Sequence, residues 1–364
     1  WRMVSLSLPD LSTTPTTTDQ DQANVELLYG LVAIQSLSGG EAEAVEYLCG
    51  EMRSRGFEAA PDEAGSAVGV IGNGRRRIVL LGHIDTVPGE IPVRIDDGVL
   101  HGRGAVDAKG PLATFIAAAA AAAERADAKI TVVGAVGEES IGSPGANAVA
   151  KGPAPDYCII GEPSGWDAVC LGYRGTLSFT YLLRQAGRHT AGPGESVAEQ
   201  AVGFWNALSA EVAARNGEAT GFNSLGQSLR GMWTESDGLY DEARLSIGVR
   251  LPPGIDVDDF ESRLRDLAGA AQLIVHGRQE GYATDKRSPI TPPFLRAIRA
   301  VGGTPRFTRK LGTSDMTVVG PVWGCPIVAY GPGDASLDHT PEERIVLDDY
   351  LRAIRVLTEV LVSL

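Results

Sequence analysis

The segment PLATFIAAAAAAAE at residues 111–124 constrains this chain more than any other. Proline suits a first helical turn, where its missing N–H costs little, and alanine is the strongest helix former, so the segment predicts a helix. Seven consecutive alanines leave that helix little girth, which suits close packing on a sheet. Strand-like runs bracket it. Residues 67–71 and 77–81 are short and β-prone, and Asn73-Gly74 between them tolerates the positive φ angles of a tight hairpin. Residues 130–136 form an apolar run that stops at Gly137-Glu138-Glu139, and residues 157–160 form another that stops at Gly161-Glu162. Helices alternating with apolar strands predict an α/β layer structure, in which reactive groups gather at the carboxyl ends of strands.

A chain of 364 residues exceeds what one hydrophobic core usually organises, so two domains are expected. Residues 1–22, rich in Ser, Thr, Pro and Asp, read as a flexible tail. Two helices are expected between 23 and 55, broken at Ser38-Gly39-Gly40. The character changes near Gly172. Residues 176–183 read as an edge strand, 196–215 as an amphipathic helix, and 243–251 and 272–276 as strands flanking a helix at 257–267. Residues 172–282 are therefore read as an inserted α+β domain, leaving 23–171 and 283–364 as one discontinuous domain that ends in a helix at 347–364.

Composition narrows the function classes. With 43% hydrophobic and 21% charged residues the chain reads as globular. A net charge of -14 opposes binding to phosphate backbones, so no nucleic-acid partner is expected. Cys49, Cys158, Cys170 and Cys325 are widely spaced and show no CxxC, so neither a disulfide framework nor a thiolate zinc site is suggested. No apolar run approaches the ~20 residues that cross a bilayer, and residues 1–22 lack the order of a signal peptide, so a cytoplasmic protein with no membrane partner is expected.

Five short motifs carry chemistry. In LLGHIDTVPG, His83 and Asp85 lie two apart, on one face of a strand or its end. An imidazole can take a metal there while a carboxylate fixes its tautomer, but by itself the pair is a weak signal and reads more readily as a solvated loop pair. In HGRGAVDAKG, Asp107 sits in a glycine-rich turn, where it either bridges two cations or caps the helix that follows. VGEES sets Glu138 and Glu139 side by side, and two such anions repel unless one is protonated or a cation lies between them. Glu162 ends the next strand in GEPS, and His339 stands in LDHTPEE. Three carboxylates and two imidazoles suit catalytic metal sites open to water.

The order GHIDTVPG, GRGAVDAKG, VGEES, GEPS, DHTPEE resembles that of the dinuclear zinc deacylases and peptidases, which include acetylornithine deacetylase, succinyl-diaminopimelate desuccinylase and glutamate-releasing carboxypeptidase. The likeness runs from about residue 24 to the C-terminus. It implies a three-layer, zinc-peptidase-like α/β catalytic domain with a smaller inserted α+β, ferredoxin-like lid and dimerisation domain. It also implies two Zn2+, with Co2+ able to substitute. Asp107 would bridge the metals, His83 and Glu162 would complete one site, and Glu139 and His339 the other. Glu138 would be the general base, taking a proton from water and returning it to the leaving amine, and Asp85 would orient His83.

In the inserted domain, His189 matches the family histidine that reaches the partner subunit's active site, which implies a homodimer; by itself it reads as a surface histidine. Arg250 matches the arginine that holds the substrate carboxylate, and Arg174 either joins it or braces a hinge. Gly312, Thr313 and Ser314 resemble the substrate loop. His101 and His276 match no functional motif and read as structural. Glu342 and Glu343 either orient His339 or start the following helix.

EPSGWDAVCLGYRG and GHIDTVPGEIPV resemble the branch that releases lysine or ornithine from the acidic amino-group carrier protein of lysine and arginine biosynthesis. For an enzyme of net charge -14 this implies a local basic rim, which Arg75, Arg76 and Arg77 and the stretch of Arg306, Arg309 and Lys310 could supply, although these residues read equally as ordinary solvated surface charge. The alternatives are a deacetylase of free N-acetyl-ornithine or N-acetyl-lysine and, in another class, a catalytically inactive metal-binding regulatory module. A retained Glu138 speaks against the second.

Overall fold

The computed structural model describes residues 18–189 and 191–364, and most of the stretch read as a tail lies outside them. Within them the first helix, Asp19–Ala33, starts four residues before Ala23, because the Thr18 side chain caps it by accepting from the Asp21 amide. The second helix is Ala42–Ser54. The described residues divide into two compact units, the first comprising 18–171, 284–308 and 314–364, and the second 172–189, 191–283 and 309–313.

In the first unit the strands run in the order Glu58–Pro61, Ala67–Ile71, Ala128–Ala135, Arg76–His83, Tyr157–Gly161, Ile327–Ala329 and Ala168–Tyr173. The central pairings are parallel and the outer ones antiparallel, giving a mixed α/β sheet. The expected hairpin at Asn73-Gly74 is absent. Strand Ala128–Ala135 lies between the two runs, antiparallel to one and parallel to the other. The positive φ angle falls on Gly72, at 79°, and Gly74 lies so close to the Asp127–Ala128 backbone that a side chain there would collide with it.

Helix Lys109–Ala122 is buried over nearly its whole length and packs on the strands Arg76–His83 and Ala128–Ala135 and against helix Leu347–Ser363. Glycine in the strands allows this approach: a Cβ on Gly161 would meet the Phe115 ring at 2.9 Å, and one on Gly134 would meet Leu112 at 3.2 Å. A small antiparallel sheet joins Arg94–Asp96, Val99–His101 and Arg344–Val346.

The second unit has the order βαββαβ: strand Gly175–Ala186, helix Val197–Asn216, strands Gly226–Ser236 and Tyr240–Leu251, helix Val257–Ala268 and strand Gln272–Gln279. Its sheet order, with Tyr240–Leu251 and Gln272–Gln279 on either side of the first strand, is that of a ferredoxin-like fold. Residues 176–183 are thus central rather than at an edge. Leu177, Phe179, Tyr181 and Leu183 alternate inward against Phe204 and Leu208 of the first helix. The edges are Gln272–Gln279 and Gly226–Ser236, the latter largely exposed and with no clear alternation of apolar and polar residues to reveal it in sequence. Among the described residues no helix is long and apolar enough to cross a membrane.

Candidate metal centre

Every element that carries a motif residue of the first unit ends at one place. Strand Arg76–His83 delivers His83, the turn before helix Lys109–Ala122 delivers Asp107, strand Ala128–Ala135 leads to Glu138 and Glu139, and strand Tyr157–Gly161 leads to Glu162. His339 comes from the loop before strand Arg344–Val346 and holds φ at 61°, a left-handed conformation that costs a non-glycine residue about 1 kcal/mol or more.

The two oxygens of Asp107 face different imidazoles. Oδ1 lies 3.1 Å from His83 Nε2, and Oδ2 lies 3.1 Å from His339 Nε2. His83 Nε2 is also 3.9 Å from Glu162 Oε1, and His339 Nε2 is 2.9 Å from Glu139 Oε1. Two triads result, His83–Asp107–Glu162 and Asp107–Glu139–His339, each with donor atoms within 4.8 Å of one another, and they share Asp107. His83, Glu138 and Glu139 form a third such group.

The electrostatics of the cluster are those of a site built for added positive charge. Four carboxylates, on Asp107, Glu138, Glu139 and Glu162, meet only two imidazoles. Burial raises Glu138 well above the ordinary carboxylate range despite His83, and Asp315, Glu139 and Asp107 push it the same way. Burial also raises Asp315, to about 7. Burial disfavours a charged His83, but hydrogen bonding to Asp107 and Asp85 outweighs this and raises it. Hydrogen bonds that His339 donates to the Asp107 and Glu139 carboxylates raise it to about 10. Asp107 is lowered against the pull of burial, because both imidazoles bond to it. Buried anions in excess of their cationic partners are costly. The oxygen and nitrogen donors, with no thiolate among them, fit divalent cations of borderline hardness.

Around this cluster, buried acids hold the backbone. Asp85, fully buried, accepts the Glu138 amide on Oδ1 and the Glu139 amide on Oδ2, each at 3.0 Å, and the Ser38 hydroxyl at 2.7 Å. His83 Nδ1 donates to the main-chain oxygen of Asp85 at 3.0 Å, whereas the Asp85 carboxylate stands 3.6 Å away. Glu41 accepts the Gly137 amide at 3.2 Å. Glu343 accepts the amides of Val106 and Asp107, so it meets the Asp107 turn rather than His339. Neither Glu41 nor the bonds of Glu343 and Asp85 to these amides were legible in the motifs. Lys109, also buried, donates to the Ile34 carbonyl at 2.6 Å, and burial pushes its ammonium down to about 8.

The remaining expected site residues lie in or beside the second unit. Arg174 is spent on backbone, donating to the carbonyls of Leu311 at 2.9 Å and Ser224 at 3.1 Å, and so braces the 309–313 segment. Arg250 donates to the Thr313 hydroxyl at 2.6 Å, and that hydroxyl donates to the Arg174 carbonyl at 3.1 Å. Gly312 lies in the same segment, and Ser314, buried, accepts the Met316 amide within the first unit. His189 is exposed and accepts the Ala191 amide through Nδ1. His276 bonds Thr180 across two strands, and His101 lies beside Arg94.

A mixed α/β sheet whose strand ends gather acids and imidazoles around a shared aspartate is the architecture of a metal-dependent hydrolase. The family described as Peptidase family M20/M25/M40 matches residues 79–363, and the chain belongs to it and is an amidohydrolase. The chain is 44% identical to the LysW-lysine hydrolase of Deinococcus radiodurans, over 96% of this chain and 99% of the relative. It is 41% identical to a protein of Thermococcus kodakarensis named as a LysW-lysine/LysW-ornithine hydrolase, over 94% and 92%. A tripeptidase structure from Staphylococcus aureus shares the fold, with a TM-score of 0.76 at 19% identity over 94% of this chain and 97% of that one.

Proposed function

We propose that the chain holds two divalent cations, zinc with cobalt able to substitute, and hydrolyses the amide that joins lysine or ornithine to an acidic amino-group carrier protein in lysine and arginine biosynthesis. The observation that carries the reading is Asp107, whose two oxygens each stand 3.1 Å from a different imidazole. His83 and Glu162 complete one cation site, and Glu139 and His339 the other. Bound cations would polarise the scissile carbonyl and lower the pKa of water toward neutrality.

The chain's own groups then do the proton work. Glu138, beside the ligands and raised by burial and its acidic neighbours, takes a proton from the attacking water and returns it to the leaving amine. The Asp85 carboxylate fixes the backbone of Glu138 and Glu139, and its carbonyl fixes the His83 tautomer. Arg250 and the segment of Gly312, Thr313 and Ser314 receive the substrate's free carboxylate, with Arg174 bracing that segment. His189 reaches the partner subunit's site in a homodimer and supplies a donor to the developing oxyanion. The enzyme works in the cytoplasm.

The carrier-linked substrate is supported by relatives at 44% and 41% identity whose names specify LysW-lysine and LysW-ornithine. Turnover of the metal-loaded enzyme on a carrier-lysine conjugate, a carrier-ornithine conjugate, N-acetyl-lysine and N-acetyl-ornithine tests it. The reading expects the highest kcat/KM on a carrier conjugate; a preference for the free acetylated amino acids would replace it with a free deacetylase.

A further inference from the structure

The geometry points to Glu343 as a positioning residue that sets the orientation of Asp107, and through it the affinity of both cation sites. This inference rests on the reading of Asp107 as a shared ligand.

Antiparallel pairing of strand Arg344–Val346 with Val99–His101 sets Arg344 opposite His101, so that Glu343 enters beside the glycine-rich turn that follows, where the Gly102 amide bonds its carbonyl at 3.3 Å. Its side chain is 1% exposed. Oε1 accepts two successive amides, Val106 at 3.0 Å and Asp107 at 3.1 Å, and Oε2 accepts Arg103 Nη1 at 2.7 Å. Arg103 also donates to the Gly89 carbonyl at 3.1 Å, so the carboxylate is itself held at a fixed place. Both oxygens are thus committed within the protein, one to two amides and the other to a guanidinium. His339 stands only four residues before Glu343 in the chain. The same loop therefore contributes one imidazole directly and fixes the backbone of the aspartate that this imidazole faces.

A carboxylate ligand with both oxygens in use has no freedom to turn without leaving one partner. Fixing the amide at its own Cα restricts that turn, and residues that orient a ligand in this way typically carry 10- to 100-fold of metal affinity. Glu342, the adjacent acid, is exposed and serves as the matched control.

The test uses the full chain stripped by chelator and reloaded with Co2+. Affinity is read by chelator competition and geometry by the visible absorption of the bound cobalt, for wild type and for Glu343→Ala, Glu343→Gln, Arg103→Ala, Glu342→Ala and Asp107→Ala. We expect Glu343→Ala to lose about tenfold or more in Co2+ affinity and to shift the cobalt spectrum. Glu343→Gln, which keeps an oxygen for the amides, should recover most of both, and Glu342→Ala should match wild type. Should Glu343→Ala fail to fold, Glu343→Gln and Arg103→Ala decide: each should show a smaller spectral shift and loss of affinity than expected for Glu343→Ala. Wild-type affinity and spectrum in every soluble Glu343 and Arg103 variant, with Asp107→Ala unable to bind cobalt at two sites, overturns the role of Glu343 alone. Unimpaired two-site binding by Asp107→Ala overturns the ligand reading itself.

Discussion

Asp85 and Glu138 are joined by a bond from the Glu138 amide to Asp85 Oδ1 at 3.0 Å, so the proposed base is aimed by an acid that touches its backbone and not its side chain. The second oxygen of Asp85 holds the Glu139 amide in the same way. Removing this carboxylate leaves two part-buried amides and the Ser38 hydroxyl without their acceptor, at about 1–3 kcal/mol for each group that finds no water. Asp85→Ala should therefore lower unfolding free energy by roughly 2–4 kcal/mol in denaturant titration of the chelator-stripped protein. A loss under about 1 kcal/mol would mean that water replaces the carboxylate.

Glu138→Gln keeps the size of the side chain and removes its ability to take a proton. Turnover should fall by about 10²–10⁴-fold while the metal content, measured by elemental analysis, stays at the wild-type value. An unchanged rate would reject Glu138 as the base, and lost metal would make it a ligand.

The metal-free protein should lose stability as pH rises from about 6.5 to about 8. His339 is raised from 6.5 to about 10 by Asp107 and Glu139. A group whose folded value is raised contributes stability that is complete below its unfolded value and is lost as pH climbs through the folded one. His83 is shifted in the same direction. Lys109, pushed down to about 8, works the other way, but only from about 8 upward. With cations bound the imidazoles are neutral, and the slope should flatten. Thermal unfolding at pH 6.5, 7.2 and 8 with and without metal reads this directly, and a metal-free Tm that rises over this range would reject it.

The basic rim expected from sequence contracts in the structure. Arg75 is paired with Asp127 at 2.7 Å and Arg306 with Asp167 at 2.6 Å, so neither brings much net charge. Among the described residues Arg76, Arg77, Arg309 and Lys310 form no ion pair, and of these Arg309, stacked 5.2 Å over the Phe222 ring, and Lys310 stand next to Gly312, Thr313 and Ser314 in the chain and are the pair to test. Reversing both to Glu should raise KM severalfold more for a carrier-lysine conjugate than for N-acetyl-lysine, and more steeply at low salt. Equal effects on the two substrates would remove these residues from carrier binding.

What the sequence revealed and what it concealed divide along one physical line. His83, Asp107, Glu139, Glu162 and His339 were legible because each stands in a short motif, and three of them end or follow an apolar strand. The hairpin at Asn73-Gly74 misled because local turn chemistry cannot show that Ala128–Ala135 pairs between the two runs. Residues 176–183 looked like an edge because pairing with Tyr240–Leu251 and Gln272–Gln279 is equally remote in sequence. Glu41 gave no signal of its own, and Glu343 stood in a motif that did not reveal its partners, since the amides they accept lie 96 and more than 200 residues away. A motif records a side chain's chemistry, whereas which amides it meets is decided by the fold.

The central claim is that Asp107 lies between two cations. Crystals of the zinc-loaded protein measured at the zinc absorption edge should give two anomalous peaks, one on either side of the Asp107 carboxylate and about 3.5–4 Å apart, the spacing usual for paired catalytic metals. A single peak, or peaks whose nearest side chains do not include Asp107, would contradict it.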